Sequence, residues 1–233
     1  MSALVVRGAR LVLPDGGPSA PVDVTVRAGR VEGVAPAATT APAGVDVLDA
    51  DGRLLLPGFV DAHVHGEAAV LDDDVQLAML RQGVTSVVVG QDGVSYAPSP
   101  RPGAQAVDGG PAASGLHDAA AWASGYFAAI NGEHPTFRGG SVGDLLATYD
   151  GTTRVNVGYL APHGTLRYAV LGAAARPATP AETDRMLALL ASALDDGALG
   201  LSTGLEYVPA TYADEAELVA LARALAARGL PHV

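Results

Sequence analysis

Pro57-Gly58-Phe59-Val60-Asp61-Ala62-His63-Val64-His65-Gly66 follows the apolar run Leu54-Leu55-Leu56 and precedes a helix-like segment. It reads as a strand whose C-terminal end leaves a sheet. Side chains alternate between the two faces of a strand. Phe59, Asp61, His63 and His65 then share one face, and the small apolar Val60, Ala62 and Val64 share the other, as expected where a strand packs under helices. Two imidazoles stand side by side at the strand end, a simple way to present two nitrogen ligands to a divalent metal. A bare His-x-His pair reads equally well as two polar side chains facing water. The flanking Pro-Gly, Asp61 and the apolar strand favour the metal.

Before this stretch, residues 1–56 read as a small all-β module. Short β-segments at Leu4–Val6, Arg10–Leu13, Val22–Val26, Arg30–Val34 and Val45–Leu48 are separated by Pro14-Asp15-Gly16-Gly17, Ala28-Gly29 and Asp51-Gly52, whose residues tolerate positive φ or bond their own backbone. Ala35–Gly44 reads as a surface loop. After it, residues 57–233 alternate apolar strands with amphipathic helices, the pattern of a parallel sheet in an α/β fold. Strands are expected at Phe59–His65, Thr85–Val89, Arg154–Leu160 and Ala198–Leu201, with a fifth beginning at Leu230. Helices are expected at Asp72–Gln82 (buried face Val75, Ala78, Met79 and Gln82), Ala119–Ile130, Ser141–Thr148, Thr179–Asp196 and Asp214–Arg228. The clearest is Thr179–Asp196, with Thr179 as cap, Pro180 in first position, Glu182 completing a capping box and Gly197 as stop. Pro98–Gly115 reads as a long flexible insertion. Phe59–Val233 covers about four and a half βα units, where a closed eight-stranded barrel needs ~250 residues. The sheet is therefore either open and complete or the front part of a barrel, and a chain ending within a strand favours the second.

Composition removes several classes of function. Of the 233 residues 49% are hydrophobic, enough for a sizeable core, and the formal net charge is −11. Without a basic block, neither nucleic acid nor an anionic membrane is the expected partner. There is no cysteine, so no disulfide and no thiolate metal site. All 14 basic residues are arginine, which excludes a lysine Schiff base, a lysine general base or a carboxylated lysine bridging two metals. No apolar run spans a bilayer and no signal peptide is evident, so a cytoplasmic enzyme is the simplest expectation.

Active sites of parallel α/β folds lie at the C-terminal strand ends. Here those ends carry His63 and His65, then Gln91 and Asp92, then His163 and Thr165, then Ser202, Thr203 and Glu206. Together with the Pro-Gly-Phe-Val-Asp-Ala-His-Val-His stretch, the chain resembles the amidohydrolase superfamily. Gly83–Gly93, Pro162-His163-Gly164-Thr165-Leu166-Arg167 and Gly197–Pro209 (with Ser202-Thr203-Gly204-Leu205-Glu206-Tyr207) resemble the N-acyl-D-amino-acid deacylases, or D-aminoacylases, from about Arg53 onward. The resemblance implies the N-terminal part of a TIM (β/α)8 barrel, preceded by part of a composite β-sandwich, and zinc-dependent hydrolysis of the amide of an N-acyl-D-amino acid.

Carried over by position, His63 and His65 match the strand-one metal ligands. Asp92 falls where many D-aminoacylases place a metal-binding cysteine, and a carboxylate is the usual bridging ligand left to a chain without lysine or cysteine. One or two Zn2+ ions are implied. Further histidine ligands and the catalytic Asp would follow Val233, so no general base is assigned within these residues. His232 is not assigned as a ligand. Asp61 reads either as a carboxylate orienting a ligand histidine or as a structural turn residue. His163 reads as a substrate contact or as a local cap, and Ser202 and Tyr207 as pocket lining or tight-turn structure. His117 and His134 read as solvated surface residues, and Trp122, Tyr126 and Phe127 as helix packing. The expected partner is a small N-acyl amino acid. A cyclic-amide hydrolase of the hydantoinase or dihydroorotase kind is the enzyme alternative, against which the absence of lysine counts. A non-catalytic fragment is the other.

Overall fold

A computed structural model describes residues 3–38, 44–101, 115–127 and 129–233. The centre of the expected 98–115 insertion, and residues 39–43 of the expected loop, lie outside these. The chain forms two compact units, Met1–Gly58 and Phe59–Val233.

In the first unit, β1 (Ala3–Leu11) lies between β2 (Val22–Arg27) and β4 (Asp46–Asp49), and β3 (Arg30–Pro36) borders β2. The β1–β2–β3 pairings are antiparallel; β4 and the short β5 (Leu54–Leu55) run parallel to β1. Two expected segments fuse into β1 because Gly8, at φ +65°, absorbs a register shift between Val6 and Ala9. Its N–H donates to Asp23 Oδ1 at 2.8 Å. Ala28 and Gly29 turn the β2–β3 hairpin with both φ positive, the geometry that matches strand twist. One apolar face is left open, with Val31 and Val34 exposed, and it lines a concavity of about 540 Å³ with Val6, Val24 and Val26.

The second unit is built on parallel strands. β6 (Phe59–Asp61) pairs with β7 (Val84–Val89), β7 with β8 (Asn156–Tyr159), and β9 (Ala161–Pro162) with β10 (Leu201–Ser202). Backbone bonds Leu199 N to Tyr159 O and Ala161 N to Gly200 O carry the array past Leu160. His232 bridges Leu201 in parallel, an isolated bridge where the fifth strand was expected to begin. The first strand is shorter than expected. It stops at Asp61, and Phe59 and Val60 are 56% and 60% exposed because β6 pairs on one side only. Among the described residues no helix covers Val60, contrary to the expected packing.

The helices are α1 (Asp73–Arg81), α2 (Ala119–Tyr126), α3 (Val142–Ala147), α4 (His163–Leu171), α5 (Pro180–Asp195) and α6 (Glu215–Ala226). All starts but that of α4, where Pro162 gives no side-chain cap, have a local cause, and Asp118 caps α2. Asp72, Ser141, Thr179 and Asp214 accept backbone N–H groups of the first turn, and α3 and α5 carry complete capping boxes. Met186, Leu190, Ala193 and Leu194 of α5 are buried at helical spacing. On α1 the inward residue is Gln76, whose Oε1 accepts Arg154 N at 2.8 Å, while Ala78 and Gln82 are exposed. Hydropathy favours Ala78; a backbone donor in need of a partner selects Gln76. Among the described residues no helix is long and apolar enough to cross a membrane.

His134 corrects another expectation. It is fully buried, its ring edge-on to Tyr96 and Phe137, and its Nδ1 accepts from Phe137 N at 2.9 Å. A ring nitrogen that accepts must be unprotonated, and burial lowers this pKa to about 4. In the unfolded chain the pKa returns to about 6.5, so below that pH the unfolded state binds the extra proton. Stability is expected to fall between pH 6.5 and about 4 by up to roughly 2–3 kcal/mol. Urea denaturation at several pH values measures this, and His134→Gln should flatten the slope. An unchanged slope in that variant contradicts the assignment.

Candidate metal centre

Beyond β6 the backbone is irregular, and Val64 N still bonds Val88 O at 3.3 Å. This keeps the histidine segment beside β7. His63 and His65 stand edge to face with ring centroids 5.7 Å apart. Asp92, just past the end of β7, meets both. Its Oδ2 lies 3.0 Å from His65 Nε2 and 3.6 Å from His63 Nε2. One ligand atom from each of the three lies within 4.8 Å of the others. Ligands at 2.0–2.2 Å from one tetrahedral zinc sit about 3.4 Å apart, so the trio has the spacing and donor types to share an ion. His63 is exposed and His65 and Asp92 are half-buried, which leaves the trio open on one side.

Asp92 is held at φ +53°, a left-handed conformation that Asp tolerates better than most residues. The loop is built around close backbone contacts. A Cβ on Gly90 would fall 2.2 Å from Leu160 O, and one on Gly204 would fall 2.0 Å from Asp92 O. Glycine is needed at both because strand ends two, three and four touch there. Ser202 Oγ donates to Gly90 O and accepts Gly93 N at 3.1 Å. Thr165 Oγ1 accepts Ser95 N at 2.9 Å and donates to Ser95 O at 2.8 Å.

Asp61 takes the turn alternative: its carboxylate accepts His63 N at 3.2 Å. His163 and Ser202 are fully buried, at the strand-end layer but not presented to solvent. His163 Nε2 donates to Glu217 Oε1 at 2.7 Å, and Arg167, also fully buried, pairs with Glu217 Oε2. Burial pushes the Glu217 carboxyl up, but the bonds from His163 and Arg167 outweigh it and hold it below the ordinary range. Tyr207 is half-buried and meets Phe127 edge-on at 5.3 Å, while Phe127 lies 5.9 Å from the His65 ring. Phe127 is thus more than helix packing; it walls His65. Trp122 stacks on Tyr168 at 4.6 Å, as packing.

Sequence reasoning missed Glu67. It is fully buried, and its Oε1 accepts Gly90 N at 3.1 Å and Ser95 Oγ at 2.8 Å. Burial raises its pKa against those hydrogen bonds. A sequence signal existed, since a carboxylate two residues after His-x-His is an unusual residue to bury. Glu217 gave less warning, because a Glu in a first helical turn reads as a capping residue.

Parallel strands alternating with helices, with a histidine pair and a carboxylate meeting at the C-terminal strand ends, define an α/β protein with a metal-type donor set where such folds carry their sites. Comparison with known proteins makes the class specific: residues 46–231 match the amidohydrolase family, and the chain belongs to that family. It is similar to an N-acyl-D-glutamate deacylase of Alcaligenes xylosoxydans xylosoxydans, 36% identical over 98% of this chain and 42% of that protein. An N-acyl-D-aspartate deacylase of the same organism is 37% identical over 96% and 41%. The crystal structure of N-acyl-D-glutamate deacylase from Bordetella bronchiseptica, complexed with zinc and a phosphonate inhibitor mimicking the tetrahedral intermediate, superposes with a TM-score of 0.75. It is 31% identical, over 98% of this chain and 44% of that one. The chain spans about two fifths of the length of the curated relatives it matches.

Proposed function

We propose that the chain is the N-terminal portion of a zinc-dependent deacylase that hydrolyses the amide of N-acyl-D-amino acids. The observation that carries this reading is the His63–His65–Asp92 donor set in a chain of the amidohydrolase family. Two imidazole nitrogens and one carboxylate oxygen suit Zn2+, with one ion or two. When bound, zinc supplies a hydroxide nucleophile near neutral pH and a Lewis acid for the amide carbonyl. The chain's own residues position and shield. Asp61 fixes the His63 backbone, Ser202 and Thr165 brace the Asp92 loop, and Phe127 keeps an apolar wall against His65. Tyr207, beside Phe127, is the best placed of the three proposed substrate contacts; His163 and Ser202, fully buried, serve the loops rather than the substrate. No catalytic base is assigned to this chain.

The architecture belongs to the same proposal: residues 57–233 as the first four to five βα units of a TIM barrel, and residues 1–56 as part of a composite β-sandwich. The one-sided pairing of β6 supports closure by a further strand. The open Val31 and Val34 face supports a second apolar layer. The linear-amide reading is preferred over a cyclic one because the more similar relatives are named deacylases and no lysine is available for a carboxylated bridge.

Residues 1–233 alone, without a catalytic base, are expected to be inactive, so the test is amine release by the complete zinc-loaded protein that contains them, from N-acyl-D-glutamate, its L-enantiomer and a hydantoin. Hydrolysis of the D-substrate is expected, lost on chelation and restored by zinc. No amine release, or preferential opening of the hydantoin, overturns the reading.

A further inference from the structure

A histidine that gives Nε2 to a metal keeps its proton on Nδ1, and that N–H needs an acceptor. His65 Nε2 faces Asp92, and its Nδ1 is buried with no hydrogen-bond partner among the described residues. Asp61 does not serve it, since that carboxylate is turned to the His63 backbone. Close by in sequence, Glu67 has the complementary deficit. Its Oε1 takes two donors, Gly90 N–H and the Ser95 hydroxyl, while Oε2 is buried and unpartnered. The unpartnered donor and the unpartnered acceptor sit on residues two apart, close enough for His65 to act electrostatically on the Glu67 carboxyl.

From this juxtaposition we propose that Glu67 is a positioning residue of the metal centre: its free Oε2 receives the His65 Nδ1–H and so sets the ring's tautomer and orientation toward Asp92. Its other oxygen ties the same carboxylate to Gly90 and Ser95, on either side of Asp92 in the chain. One buried side chain thereby fixes ligands arriving from two strand ends. Tyr149 O–H bonds the Glu67 carbonyl at 3.0 Å and holds that backbone in place. The buried Gln91 Oε1, also without a partner, is a second acceptor in the same layer. It is neutral, and its amide is committed to Ala62 O and Val88 O. A carboxylate is the stronger acceptor.

The inference rests on the metal reading above, and the experiment separates the two. Zinc affinity is measured by competition with a chromophoric chelator in wild type, Glu67→Gln, Ser95→Ala and Gln91→Leu. Visible spectra of the Co2+-substituted proteins and melting of the metal-free proteins are recorded alongside. Glu67→Gln is expected to weaken zinc roughly 10- to 100-fold and to shift the Co2+ bands, with metal-free melting little changed. Ser95→Ala, which loosens the carboxylate and frees the Tyr159 hydroxyl from Ser95, should move both readouts in the same direction by less. It decides the matter if Glu67→Gln does not fold. Wild-type affinity and an unshifted Co2+ spectrum in either variant overturn the role of Glu67 alone, as does a Gln91→Leu loss larger than that of Glu67→Gln. No zinc binding by the wild type overturns the metal reading and this inference together.

Discussion

Replacing Arg167 with leucine is expected to destabilise the protein by about 3–5 kcal/mol, the cost of stripping one partner from a buried ion pair. The Arg167 guanidinium is fully buried and meets four acceptors. It pairs with Glu217, its Nε donates to Pro209 O at 2.9 Å, and Nη2 reaches Tyr212 O at 3.3 Å and the Arg176 carbonyl. Leucine leaves Glu217 with His163 as its only side-chain donor from the network and strips a donor from three carbonyls, of which, among the described residues, Pro209 O alone keeps another, Tyr212 N. Because α4, α6 and the segment around Pro209 meet at this one side chain, the loss should be global. Urea denaturation followed by circular dichroism measures it. The double variant Arg167→Leu/Glu217→Leu should recover part of the loss, since no charge is then stranded. A loss below about 1 kcal/mol in the single variant would contradict the assignment.

The second large effect is expected at Asp92. Asp92→Ala removes one of three proposed ligands and should weaken zinc more than about 100-fold, beyond what loss of an outer partner costs. The fold should survive, because among the described residues the Asp92 carboxylate faces only His63 and His65. Asp92→Cys makes the sharper comparison. Resemblance places a cysteine here in many D-aminoacylases, and a thiolate binds zinc at about 2.3 Å. That variant should keep zinc and, when loaded with Co2+, show sulfur-to-metal charge transfer. Dialysis against graded chelator, with metal content by emission spectroscopy, reads both. Zinc retained by the alanine variant would remove Asp92 from the ligand set.

How much of this was legible beforehand differs by kind of interaction. Local signals were read well. Thr179, Pro180 and Glu182 start α5 as their types dictate, and Ala28-Gly29 turns its hairpin. The strand-end clusters carrying His63, His65 and Asp92 do meet. Long-range polar pairing was not legible. Glu67 to Ser95, His163 to Glu217 and Gln76 to Arg154 join residues 28, 54 and 78 apart, and nothing in local hydropathy says that a given Glu, His or Gln will be buried with a partner. The same cause explains His134, read as a surface residue from its loop and found at full burial against Tyr96 and Phe137. The short first strand has another cause. Alternation predicts which face a residue takes, but pairing on one side only lets β6 end at Asp61.

The central claim is that His63, His65 and Asp92 hold one metal ion together. Its most direct test is zinc titration of the chelator-stripped protein beside His63→Ala, His65→Ala and Asp92→Ala. Saturable binding in the wild type, weakened in all three variants with metal-free stability retained, is the predicted result. Undiminished binding in any one of them would contradict it.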